Sequence, residues 1–185
     1  MKPEITLFTG GCRSGKSRLA LQHAESFAAA RHVFVATCRP QDDEMRLRVA
    51  RHQSERGSHW QTMEAPLSLP SAIAESSGSD TVVLADCLTL WVSNVLLQQE
   101  DPRDVHRAVR ELETRLTQIQ GPVILVTNEV GAGIVPGNRL ARSYRDEVGL
   151  VNQTVARMAR HVIWSVAGIP VAVKADGVPT RPLRQ

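Results

Sequence analysis

Ile5-Thr6-Leu7-Phe8-Thr9-Gly10-Gly11-Cys12-Arg13-Ser14-Gly15-Lys16-Ser17 is a short apolar run followed by Gly, four free positions, Gly, Lys and Ser. This is the spacing of a phosphate-binding loop set between a strand and a helix. Its chemistry requires these residue types. The glycines let successive backbone N–H groups turn inward as an anion nest, with a helix N-terminus behind it. Lys16 then reaches the β- and γ-phosphates of a nucleotide, and Ser17 offers a hydroxyl to Mg2+, which prefers oxygen ligands. The plain alternative is a glycine-rich turn with an incidental lysine. With Gly at about 7% of residues, the whole pattern arises by chance in well under about one chain in a hundred, and the strand-then-helix context lowers that further.

Outward from the loop, further apolar runs bounded by turn residues read as strands: Val33 to Thr37, Thr81 to Ala85, Pro122 to Thr127 and Val162 to Val166, with Ile169 to Lys174 as a candidate last strand. Helical patterns lie between them, over Lys16 to Ala30, Asp43 to Gln53, Leu88 to Gln99, Arg103 to Gln120 and Arg139 to Arg160. In the Arg103 stretch, Val105, Val109, Leu112, Leu116 and Ile119 form one apolar stripe at helical spacing. Alternating strands and helices imply a mainly parallel sheet covered on both faces. The expected fold is therefore α/β, of P-loop NTPase type, in a single domain over residues 1–175. Ser71 to Ser79 reads as a Ser-rich surface segment, and Asp176 to Gln185 as a flexible tail.

Composition narrows the function classes. The 185 residues are 42% hydrophobic and 22% charged, which is ordinary globular usage. No apolar stretch approaches the roughly 20 residues of a membrane span, and the first residues lack a secretory leader pattern, so a cytoplasmic location is expected. Cys12, Cys38 and Cys87 are too far apart for a zinc motif and odd in number for a disulfide framework, and read as reduced thiols. The net charge of +3 suits phosphorylated ligands. With three Phe, one Tyr and three Trp scattered singly, there is no stacking platform for nucleic acid.

Three further places carry candidate chemistry. Asp86 ends the Thr81 strand, at the sheet edge where α/β proteins bind ligands. There it serves as a carboxylate for Mg2+ beside Ser17, or as a cap on the helix at Leu88. The stretch Asp42 to Arg56 turns from acidic to basic along a helix and places His52 among Arg48, Arg51 and Arg56, a set able to gather phosphate oxygens. A lone histidine on a helix is more often structural, a reading that applies more strongly to His23, His32, His59, His106 and His161. Asn128-Glu129 before Gly131 and Gly133 reads equally as a ligand-approaching loop and as a plain turn.

Taken together, the motifs resemble those of the bifunctional adenosylcobinamide kinase and adenosylcobinamide-phosphate guanylyltransferase family of cobalamin biosynthesis. The resemblance rests on Thr9 to Ser17, Ala36-Thr37-Cys38, Asp42 to Met45, Arg51 to Trp60, Asp86 to Asn94 and Thr127 to Pro136, and continues through Asn138 to Asp146 and Val151 to Gln153. It implies ATP- or GTP-dependent phosphorylation of adenosylcobinamide, then transfer of GMP from GTP to that phosphate. It also implies a guanylylated histidine at His52 and nucleotide contacts at Gly10, Gly11, Cys12, Arg13, Ser14, Gly15, Lys16 and Ser17. Further implied contacts are Ala36, Thr37, Cys38, Gln53, Ser54, Glu55, Arg56, Glu64 and Asp86. Glu64 and Asp86 are candidates for reading guanine, since carboxylates accept from its N1 and N2 donors. A homo-oligomer, with a trimer as one arrangement, follows from the same resemblance. Two positions depart from the usual family pattern. Many members carry adjacent histidines where this chain has Arg51-His52, which leaves His52 as the single nucleophile, and a small residue often replaces Cys12. A P-loop kinase of another small metabolite and a nucleotide-dependent switch protein are the competing readings of the loop.

Overall fold

The computed structural model describes residues 4–40, 42–99 and 102–180, apart from the side chains of Arg48, His52, Gln99 and Pro102. Strands and helices alternate from the start: β1 (Ile5–Gly10), α1 (Lys16–Glu25), β2 (Arg31–Ala36), α2 (Asp43–Ser54), β3 (Trp60–Glu64), α3 (Leu69–Ser76), β4 (Thr81–Asp86) and α4 (Leu88–Gln99). They continue with α5 (Pro102–Leu116), β5 (Val123–Val126), a short 3-10 turn at Val130–Ala132, α6 (Arg139–Met158), β6 (His161–Val166), β7 (Ile169–Ala175) and β8 (Val178–Pro179). The strands form one sheet in the order β3-β2-β4-β5-β1-β6-β7-β8. The pairings from β3 to β6 are parallel, and β7 alone runs against the rest, pairing antiparallel with β6 and with β8.

Both faces are covered. On one, Ala20 and Ala24 of α1 pack against Phe8, Val82, Leu84, Ile124 and Val126. On the other, α3 to α6 bury Ile73, Trp91, Leu112 and Val151 against Leu7, Val83 and Leu125. β1 and β5 are buried along their whole length, as the inner strands of a two-sided parallel sheet must be. The α5 stripe faces inward through Val105, Leu112 and Leu116. Trp91 is fully buried because its indole N–H also finds a partner, the Leu67 carbonyl at 2.9 Å. No helix among the described residues is long and apolar enough to cross a membrane.

Four expectations change. The Ser-rich stretch is no surface segment: it lies largely in α3, with Leu69, Ala72, Ile73 and Ser76 buried. Its apolar residues recur at helical spacing, and that outweighs the serines. The helix after the loop ends at Glu25 rather than Ala30, because the Ser26 hydroxyl takes the His23 carbonyl at 2.7 Å. β3 was not anticipated; it is an outer strand with Trp60 as its one buried residue, so it shows no apolar run. Within the expected tail, Val178–Pro179 pairs with β7, while residues 181–185 lie outside the described ones.

The core role of α3 gives a stability prediction. Ile73→Ala should cost about 2–5 kcal/mol in urea unfolding, whereas Glu75→Ala, on the exposed side of the same helix, should stay within about 0.5 kcal/mol of the parent.

Candidate active site

β1 delivers the chain into the glycine loop at a point where no side chain fits. Gly10 has φ 153°, and a Cβ there would lie 2.5 Å from the Ser165 carbonyl oxygen. Gly15 has φ 86° and stands at the start of α1. The loop is fastened from behind: the Ser14 carbonyl accepts from the Gly168 N–H at 3.0 Å and the Ser165 hydroxyl at 2.5 Å, both from the β6–β7 hairpin. Lys16 is buried, and its ammonium donates to the Gly11 carbonyl at 3.1 Å, strapping the end of the loop to its beginning.

In front of the loop lies a cleft of about 610 Å³, within the range of small-ligand sites. Arg13 to Ser17 form one wall, with Arg18, Leu21 and Gln22 of α1 beside them. Phe34 of β2 with Leu84 and Asp86 of β4 form the floor, and Arg51, Glu55 and Arg56 close the side from the end of α2. The Arg56 guanidinium carbon stands 3.5 Å from the centre of the Phe34 ring, a cation–π stack that fixes its position. Burial pulls the Arg56 pKa below its usual value and the nearby Asp86 carboxylate pulls it back up. From so high a starting point the group stays cationic at neutral pH. The Arg51–Glu55 pair, at 3.6 Å and largely exposed, contributes little to stability.

The strand register sets the remaining candidates in a row along the carboxyl edge of the sheet. Ala36 is level with Glu64 on one side and Asp86 on the other, Asp86 with Val126, and Val126 with Phe8. Of the residues implied as nucleotide contacts, the cleft gathers Arg13, Ser14, Gly15, Lys16, Ser17, Glu55, Arg56 and Asp86. Gly10, Gly11, Cys12, Ala36, Thr37, Cys38, Gln53, Ser54 and Glu64 do not line it. Thr37 is turned into the protein: its hydroxyl donates to the Cys87 carbonyl at 2.9 Å and accepts from the Cys87 N–H at 2.7 Å, tying the ends of β2 and β4 together. Glu64 is exposed on the outermost strand. His52 lies in the last turn of α2, between Arg51 and Glu55; its side chain is outside the described ones.

Asn128 and Glu129 belong to a polar network between β1, β5 and α6. The Thr9 hydroxyl donates to Glu129 Oε1 at 2.5 Å, and the Glu129 N–H reaches the Gly10 carbonyl at 3.2 Å. Asn152 of α6 accepts from the Thr127 hydroxyl at 2.7 Å and donates to the Asn128 carbonyl at 3.0 Å. Asn128 in turn donates to Thr89 Oγ1 at 2.9 Å, and the same hydroxyl lies 2.9 Å from the Cys87 sulfur. The sequence assigns Phe34 no role beyond its strand, and Asn152 none beyond its place in the Val151 to Gln153 block of the resemblance. The one signal for Asn152 was a polar residue on the apolar stripe of α6, between Val151 and Val155.

A glycine loop with its lysine at the carboxyl edge of a parallel sheet, fed by the central strand and followed at once by a helix, defines the P-loop NTPase-type α/β class. Within that class, the family model described as cobinamide kinase / cobinamide phosphate guanyltransferase matches residues 6–173. The chain belongs to this family. It is 39% identical to the bifunctional adenosylcobalamin biosynthesis protein CobP of Pseudomonas aeruginosa, over 92% of this chain and 97% of that one. It is 40% identical to the bifunctional adenosylcobalamin biosynthesis protein CobU of Salmonella typhimurium, over 92% and 99%. Among solved structures, a Pyrococcus horikoshii OT3 protein shares the fold at a TM-score of 0.56 and 6% identity, covering 100% of this chain and 96% of that one.

Burial pushes the Cys87 thiol up to about 11, with the Asp86 carboxylate adding to the shift. A raised folded-state pKa contributes stability that is present below the ordinary value of 9.0 and lost as pH rises toward about 11. Urea unfolding across that window should show a fall of about 1.4 kcal/mol per pH unit from this thiol, and Cys87→Ala should remove that part of the slope.

Proposed function

We propose that the protein phosphorylates the hydroxyl of the aminopropanol arm of adenosylcobinamide, using ATP or GTP, and then transfers GMP from GTP to the new phosphate. The products are adenosylcobinamide-GDP and pyrophosphate. Family membership supports the pair of activities. The observation that carries the mechanism is the shared cleft, in which the phosphate loop with Lys16 faces the end of α2 with Arg51 and Arg56.

In the first reaction the substrate hydroxyl oxygen attacks the γ-phosphorus, the bond to the bridging oxygen breaks, and the nucleoside diphosphate leaves while the hydroxyl proton passes to solvent. No protein nucleophile is required. Loop amides and Lys16 hold the β- and γ-phosphates and offset the charge that builds on their oxygens. In the second reaction an imidazole nitrogen of His52 attacks the α-phosphorus of GTP and pyrophosphate leaves, giving a His-GMP phosphoramidate. A phosphate oxygen of the substrate then attacks the same phosphorus and frees the imidazole. With an ordinary pKa near about 6.5, a neutral imidazole is available at cellular pH, and the covalent route splits one hard transfer into two easier ones. Arg51 and Arg56 are set to steady the α-phosphate.

Ser17 and Asp86 line the same cleft and supply a hydroxyl and a carboxylate, the hard oxygen donors that fit Mg2+. Ser17 and Asp86 would hold the ion, which would supply positive charge to offset that on the leaving group. A homo-oligomer is supported by an exposed apolar stripe on β6 and β7, comprising Trp164, Val166, Ile169, Val171 and Val173, with a trimer as the arrangement the family resemblance implies. A reducing cytoplasm suits Cys12, Cys38 and Cys87 as thiols.

Supplying adenosylcobinamide, ATP, GTP and Mg2+ and weighing the products by mass spectrometry tests both reactions. His52→Asn should lower guanylyl transfer on the order of 10³-fold or more while sparing phosphorylation; full transfer by this variant overturns the role of His52. For the assembly, Val171→Asp should shift the mass measured by light scattering to that of a 20.3 kDa monomer.

A further inference from the structure

At the edge of the sheet away from the phosphate loop, three elements bring metal-ligating side chains together. Glu25 is the last residue of α1, His32 lies near the beginning of β2, and His59 directly precedes β3. One carboxylate oxygen and one ring nitrogen from each histidine lie within 4.8 Å of one another. The cluster has one feature that a purely structural hydrogen-bond set leaves unexplained: His32 is only 8% exposed, and its buried Nε2 has no hydrogen-bond partner. Leaving such a buried nitrogen unpaired is unfavourable.

The surrounding groups are already ordered as a ligand set requires. The Trp60 indole N–H donates to Glu25 Oε1 at 2.6 Å, which orients the carboxylate and leaves Oε2 turned toward His59 Nε2 at 3.1 Å. The His32 ring packs edge-on against both His59 and Trp60, with centroids 5.1 Å apart in each case. In a tetrahedral site with metal–ligand bonds near about 2.0–2.1 Å, neighbouring ligand atoms stand roughly 3.3 Å apart. The Glu25–His59 pair already has about that separation, and His32 must close by no more than about 1.5 Å. His59 is half-exposed and can make that adjustment, leaving a fourth position open to water.

We propose that Glu25, His32 and His59 bind one divalent transition ion of the Zn2+ type, with water as the fourth ligand. Two imidazoles and one carboxylate are borderline donors that suit Zn2+ and not Mg2+, which prefers an all-oxygen shell. The bound ion joins the end of α1 to the turn that feeds the outermost strand. It lies at the far end of α1 from the phosphate loop, and its role is to stabilise the fold by binding the folded chain alone.

Metal-stripped full-length protein is titrated with Zn2+ against a chromophoric chelator, and separately with Co2+ while the visible spectrum is followed. One Zn2+ per chain, a four-coordinate Co2+ spectrum and a Zn2+-dependent rise in melting temperature are expected. His59→Gln and Glu25→Gln, both at partly exposed positions, should each weaken Zn2+ at least tenfold and abolish the rise. His106→Gln, a histidine on α5 paired with Glu147, should leave both intact. Binding that is absent in the parent, or that persists unchanged in His59→Gln and Glu25→Gln, overturns the proposal. Circular dichroism of each variant, matching the parent, keeps a folding defect from standing in for lost ligation.

Discussion

The Ser14 carbonyl, held by the Gly168 N–H and the Ser165 hydroxyl, is the contact on which the cleft depends. A phosphate loop points amides at its ligand and has few to spare for bracing itself, the Ser14 N–H to the Gly11 carbonyl at 3.3 Å being one, and its glycines offer no side chains for packing. The bracing therefore comes from the β6–β7 hairpin behind it. The same requirement explains Gly10, where the loop passes so close to Ser165 that a Cβ would strike its carbonyl oxygen. It also gives the antiparallel hairpin at the end of an otherwise parallel sheet a structural purpose.

The second constraint is the level row of strand ends. Parallel pairing sets Ala36, Asp86, Val126 and Phe8 side by side, so the residues that follow them emerge on one edge. Thr37 and Asn152 then hold those exits in place, the former by latching onto Cys87 and the latter by gripping Thr127 and Asn128. α2 is different in kind. Asp42 caps it through the Met45 N–H at 2.7 Å, but most of its described side chains are exposed, and Arg56 just beyond its end is fixed by stacking on Phe34. The wall that carries Arg51 and His52 is thus attached less firmly than the wall that carries Lys16.

Much of this was legible in the sequence because its causes are local. The loop, its lysine and Ser17 follow from a spacing that only one geometry serves, and Asp86 follows from its place after an apolar run. What escaped notice has non-local causes. Phe34 and Leu21 look like core residues until the arginine stack and the cleft place them at a wall. Asn152 acts on residues more than twenty positions away, so its block, Val151 to Gln153, gives no hint of what it holds. Glu25 and His32 belong to segments that gave no sign of meeting, and the convergence with His59 appears only once α1, β2 and β3 are assembled. α3 differs: its serines suggest a surface segment, while Leu69, Ala72 and Ile73 carry the helical stripe in plain view.

β8, two residues long and ending in Pro179, closes one side of the sheet. Proline has no N–H to offer a further strand, so this rim cannot template cross-β growth or recruit an extended peptide by backbone pairing. Copies that meet through this end of the molecule must do so face to face, by interlocking Val, Ile and Trp side chains.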